Sequence, residues 1–125
     1  MHRVIVHNQS RPQVRPLSAR YCNTFLCRLR GLTFHPALAE DEGLLLVQQA
    51  ENRLDAAIHM LGVWTDLAVV WISSTQVVVD SCLAKRWRPI YIPRRPARFV
   101  LELAPSRLDD FLVGDQIYLE EVRPG

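Results

Sequence analysis

The run Leu67-Ala68-Val69-Val70-Trp71-Ile72 is apolar at every position, which constrains the fold more than any other stretch of this chain. A strand with one wet face alternates apolar and polar residues, whereas one with no polar position is covered on both faces and lies inside a sheet. Other segments of strand character surround it: His2 to His7, Leu44 to Gln48, Arg53 to Leu61, Gln76 to Leu83, Arg98 to Leu103 and Gln116 to Val122. Valine, isoleucine and tryptophan are abundant in the middle ones. Most are joined by short links, and short links between consecutive strands require antiparallel pairing.

Two stretches break this period. Tyr21, Cys22, Phe25, Leu26 and Leu29 fall on one stripe of a 3.6-residue repeat, so the spacing predicts a helix over 18–30. Ser18 is placed to cap its start and Gly31 to close it. Pro105-Ser106, Asp109 and the apolar Leu108, Phe111 and Leu112 predict a second, short helix ended by Gly114. The expected architecture is α+β: a mostly antiparallel, curved, partly barrel-like sheet with two short helices on one side. No boundary or internal repeat divides the chain. Residues 1–125 read as a single domain, with a strand and loop over 1–17 and the core over 18–122.

A chain of 125 residues can bury one ordinary core without metals or disulfides. Its 49% hydrophobic and 22% charged content is that of a globular protein, and a net charge of +2 does not demand a polyanionic partner. The three cysteines, Cys22, Cys27 and Cys82, are an odd and low count that suits a reducing compartment. On a helix, Cys22 and Cys27 point to opposite faces, about 140° apart, so they are expected neither to bridge nor to share a metal. The apolar run Val4-Ile5-Val6 is too short for the core of a secretory signal, and nothing approaches a membrane span. The expected location is the cytoplasm, with no membrane contact.

Arg30-Gly31-Leu32, Glu42-Gly43-Leu44-Leu45, Ile58-His59-Met60 with Asp66 following, Arg98-Phe99-Val100-Leu101-Glu102 and Val113-Gly114-Asp115 occur in series. In that order they resemble the domain-of-unknown-function family numbered 192, over about Arg28 to Val122. The chain departs from the family at His59-Met60-Leu61-Gly62-Val63, where a Trp-Met-Lys-Asn-Thr stretch is frequent, and at Thr65, where proline is usual. The resemblance implies a compact β-rich fold. Its members are often small exported proteins, whereas the short apolar run at this chain's start leads to the expectation of a cytoplasmic one.

No glycine-rich phosphate loop, His-Glu-x-x-His zinc motif, nucleophile elbow or Cys-x-x-Cys pair is present, so neither a metal nor a cofactor is expected. His59, Asp66 and Glu102 are polar residues among apolar strand segments, and all three fall on family-matched positions. They are candidate ligand-binding residues, with His59 able to act as a base oriented by a carboxylate. As interior structural groups they would instead need partners, Arg30 or Arg98 in the case of Glu102.

Residues 85–98 (KRWRPIYIPRRPAR) carry six basic residues with Trp87 and Tyr91 between them. Arg86, Trp87, Arg88, Tyr91, Arg94 and Arg95 have the composition that tracks phosphates and stacks bases. Pro89, Pro93 and Pro96 favour another outcome, a stiff strap whose rings and arginine stems cover the sheet. The sequence therefore points first to a non-catalytic binding or accessory module for a small molecule or protein. The alternatives are a small enzyme using His59 with Asp66 or Glu102, and a nucleic-acid or polyanion binder working through the 85–98 loop.

Overall fold

The computed structural model describes residues 2–24, 38–54, 56–58, 60, 63, 65–88 and 90–122. Its strands are β1 (Arg3–Asn8), β2 (Leu17–Cys22), β3 (Glu42–Asn52), β4 (Leu67–Ile72), β5 (Val78–Ala84), β6 (Ala97–Leu103) and β7 (Ile117–Val122). They form one seven-stranded sheet in the order β5-β4-β6-β3-β2-β1-β7. All neighbours pair antiparallel except β2 and β3, which run parallel. The sheet does not close: among the described residues its two edges meet at the isolated bridge Val77↔Gln116, with Ile117 N–H donating to the Gln76 carbonyl at 2.8 Å and Val78 N–H to the Asp115 carbonyl at 2.9 Å.

The α+β expectation is therefore overturned. Among the described residues there is no α-helix, only a 3-10 turn over Pro105–Asp110 without a side-chain cap. The first predicted helix fails because Leu17–Cys22 is β2. Leu17, Ala19 and Tyr21 face one core, while Ser18, Arg20 and Cys22 face the other way, a period of two that the helical stripe hid. Ser18 caps nothing; its N–H donates to the Asp41 carbonyl at 2.9 Å and its hydroxyl accepts from Arg3. Phe25 to Arg30, the remainder of that helix, lies outside the described residues. Arg53 to Leu61, expected as a strand, contributes the isolated bridge Ile58↔Tyr91.

β4 behaves as its composition requires. All six residues are buried between β5 and β6, with Ala68, Val70 and Ile72 on one face and Leu67, Val69 and Trp71 on the other. The first face packs on Val4, Val6, Leu17, Leu45, Leu101, Phe111 and Ile117. The second is roofed by Ala56, Ile58, Met60, Val63 and the ring of Tyr91. Each fully buried aliphatic chain contributes roughly 1.5–3 kcal/mol, so a strand apolar on both faces stabilises two cores at once. Trp71 closes the second by donating its Nε1–H to the Ala56 carbonyl at 2.7 Å.

Loops at one end are clamped by charged hubs. Arg107, only 2% exposed, donates to the Asp110 carboxylate and to the carbonyls of Glu40 and Arg15. Asp115 accepts from Asn8 Nδ2 at 2.8 Å, Arg11 Nε at 3.1 Å and the Leu112 N–H at 2.9 Å.

Candidate functional site

Glu102 lies on β6 between Leu44 of β3 and Val69 of β4, pointing to the second face. It is 4% exposed, and among the described residues no hydrogen bond or ion pair engages its carboxyl group. Burial pushes its pKa up to about 7. Arg98, one of its expected partners, is used elsewhere: its Nε donates to the Gln48 carbonyl at 3.2 Å and its guanidinium lies over Phe99. Arg30 and His59 lie outside the described residues.

The pairing register brings in a residue that the helical reading concealed. Arg20 pairs with Leu44, Leu44 with Glu102, Glu102 with Val69, and Val69 with Cys82, a single row across five strands. Arg20 and Glu102 thus sit two strands apart, about 10 Å between backbones. Arg20 Nε is buried and has no acceptor among the described residues. The alternation Leu17-Ser18-Ala19-Arg20 was the signal for it, legible only once the segment is read as a strand. At the far end of the row the Cys82 thiol is pushed up to about 11, by burial and then by the Asp80 charge, so it is no nucleophile.

Asp66 stands where β4 begins. It lines a cavity of about 310 Å³ with Leu38, Thr65, Leu67, Arg86 and Pro105. Leu67 is two residues from Val69, so this wall lies about 7 Å along β4 from the residue opposite Glu102. The Arg86 N–H donates to Asp66 Oδ1 at 2.8 Å, with Arg86 Nε at 3.4 Å and Lys85 Nζ at 3.7 Å from the carboxylate. The backbone N–H first, then these cations, hold the Asp66 carboxyl below its usual range. It is an anchor for residues 85–88 and is poorly suited to be a base.

Asp80 is a buried acid that strand patterning does not single out. This carboxylate is buried on β5 and accepts from Arg94 N at 2.8 Å, Nη2 at 2.7 Å and Nε at 3.1 Å. Burial pushes it up, but the Arg94 side chain and backbone and the Ser81 N–H outweigh that and keep it low. With Asp66 at one end and Asp80 at the other, residues 85–98 are strapped across the second face. Tyr91 packs beneath, its hydroxyl accepting from the Lys85 N–H at 2.7 Å while Arg88 lies over its ring. Trp87 differs from expectation. The residue is 52% exposed, with backbone φ at +64°, and so is not the cover for the sheet that was expected. Of the arginines suited to phosphates, Arg86 and Arg94 are held by carboxylates, while Arg88 and Arg95 are exposed.

The cysteine expectation is also corrected. Cys22 is disulfide-bonded, and Cys82 is the free cysteine among the described residues. Helical geometry would have kept Cys22 from bridging, but Leu17–Cys22 is a strand. No helix among the described residues is long and apolar enough to cross a membrane.

Comparison with known proteins agrees with this architecture. A crystal structure from Sinorhizobium meliloti, described as a candidate transcription regulator, superposes with a TM-score of 0.82 at 20% identity, covering 94% of this chain and 92% of its own. A protein of unknown function from Novosphingobium aromaticivorans gives 0.77 at 17% identity, covering 93% and 83%. At such identities the likeness establishes the fold. A UPF0127 protein of Thermococcus gammatolerans is 37% identical over 98 residues, 78% of this chain and 62% of that protein. Another, of Thermococcus kodakarensis, is 37% identical over 83 residues, 66% of this chain and 51% of its own length. The chain thus spans between half and two thirds of these two relatives. The match to the DUF192 pattern runs over residues 5–119, nearly the whole sheet, and with it the chain belongs to that family, described as "Uncharacterized ACR".

Proposed function

We propose that the domain is a non-catalytic module that binds a small polar ligand on the second face of the sheet, at Glu102 and Arg20. The carrying observation is Glu102, a carboxyl group set in an apolar wall with no partner among the described residues, in one row with an arginine whose Nε is also unanswered. Unpaired buried polar groups cost about 1–3 kcal/mol each, and a binding site is one reason to retain them. The cavity beside Asp66 opens about 7 Å along β4 from this row. A ligand that donates to Glu102 and accepts from Arg20 would satisfy both.

A fragment screen by NMR, repeated on Glu102→Leu, tests this. Removing an uncompensated acid is expected to stabilise the free protein by roughly 1–3 kcal/mol while abolishing binding. A Glu102→Leu protein that is less stable and binds as before would reject the proposal.

Glu102 also supports a second reading, a small enzyme, because a carboxyl titrating near 7 suits general acid–base work. Turnover lost in Glu102→Gln with binding intact would move the assignment there. A polyanion role for residues 85–98 has less support, since Arg86 and Arg94 are engaged. The disulfide at Cys22 favours an oxidising compartment over the cytoplasm.

A further inference from the structure

A second concavity lies at the other end of β1. His7 lies four positions along the strand from Arg3, which shares a row with Arg20, so the two regions are about 13 Å apart. The cavity, of about 490 Å³, is lined by His7, Pro12, Val14, Pro16 and Tyr118, with the backbone turning at Asn8 and Gln9. This volume is in the range that small ligands occupy.

Its walls are fixed before any ligand arrives. His7 pairs directly with Tyr118 across β1 and β7, their rings 5.7 Å apart. The loop 9–16 is held by Asp115 through Asn8 and Arg11, by the Gln9 N–H on the Gln116 carbonyl at 2.8 Å and by Ser10 Oγ accepting from the Gln116 N–H at 2.8 Å.

The polar end has a defined sense. His7 Nε2 is 2.8 Å from Glu120 Oε1. The charge presented at this end of the groove is the Glu120 carboxylate, whose side chain is 52% exposed. Arg11, the cation on the adjoining loop turn, is neutralised by Asp115 at 3.1 Å, and Arg15 lies 4.0 Å from Glu40. Tyr118, 47% exposed, offers the face of an aromatic ring, on which organic cations rest favourably. Pro12, Val14 and Pro16 supply an apolar floor for an uncharged body.

We propose that the groove between His7, Tyr118 and the 12–16 loop binds a small organic ammonium carrying a flat or apolar body, with Glu120 as its counter-charge. The site is independent of the one at Glu102. The test is an NMR titration of the full chain with 2-phenylethylamine, alongside phenylacetate as the anion of similar shape. The amine is expected to give saturable shifts at His7, Gln9, Val14 and Tyr118, and phenylacetate none. Glu120→Gln and Tyr118→Ala, both at exposed positions that leave the sheet folded, are each expected to weaken amine binding about tenfold. Phenylacetate binding as well as the amine, absence of shifts at the groove, or an amine affinity unchanged in Glu120→Gln would overturn the proposal.

Discussion

Glu102 carries a stability signature of its own. A buried acid whose folded value is raised to about 7 from an ordinary 4.5 holds its proton more tightly in the folded state than in the unfolded chain. Its contribution is full below about 4.5 and is lost as pH rises through about 7. The loss is roughly 3 kcal/mol, taking 1.36 kcal/mol per unit. Urea melts between pH 4.5 and 8 are expected to show this decline, and Glu102→Gln to remove it; a slope unchanged in that variant would assign the effect elsewhere. A second residue-scale outcome concerns Trp87, a bulky residue at φ +64° and 52% exposed. Left-handed backbone costs a bulky residue about 1–2 kcal/mol and glycine almost nothing, so Trp87→Gly is expected to melt at or above wild type. Tyr91→Ala is expected to lose about 2 kcal/mol, and thermal scans of both variants decide the matter. Glu102 was legible in the sequence because one acid in an apolar strand stands out. That Arg98 would not answer it was not legible, because strand parity cannot say which of two acceptors a guanidinium will find.

At the scale of elements, the strap over residues 85–98 is fastened more firmly than its prolines alone would do. Asp80 takes three hydrogen bonds from Arg94, and Asp66 fixes the other end. Asp80→Ala is expected to cost about 1–3 kcal/mol, the range for a hydrogen-bonded charge at a part-buried site. Amide exchange at 90–96 is expected to quicken more than in β4. Uniform quickening across the sheet would show instead that Asp80 supports the whole core. Sequence patterning located the strands near β4, β5, β6 and β7 because their buried faces are written in period two or in unbroken apolar runs. It failed at β2, where Tyr21 and Cys22 continue by chance into Phe25, Leu26 and Leu29 at helical spacing. Tertiary pairing with β1 and β3 decided that segment, and local periodicity carries no record of such partners.

For the molecule as a whole, the order of strands in space departs from their order in the chain at the places that matter most. β6 is inserted between β3 and β4, and β7 returns to lie beside β1. No hydrophobic pattern encodes that arrangement, since any of these strands would satisfy its own burial beside several neighbours. Its consequence appears during synthesis. Until Ala97 to Leu103 has been made, the ladder from β1 to β3 and the hairpin of β4 and β5 have no seam to join them. Each then presents an unmated edge flanked by leucine and valine, the kind of surface that recruits other chains. A version ending at residue 96 is expected in the insoluble fraction and the full chain in the supernatant. Sedimentation of the two after matched expression checks this. The hazard for a cell making this protein therefore lies in the unfinished polypeptide on the ribosome, and holdase chaperones would meet it there.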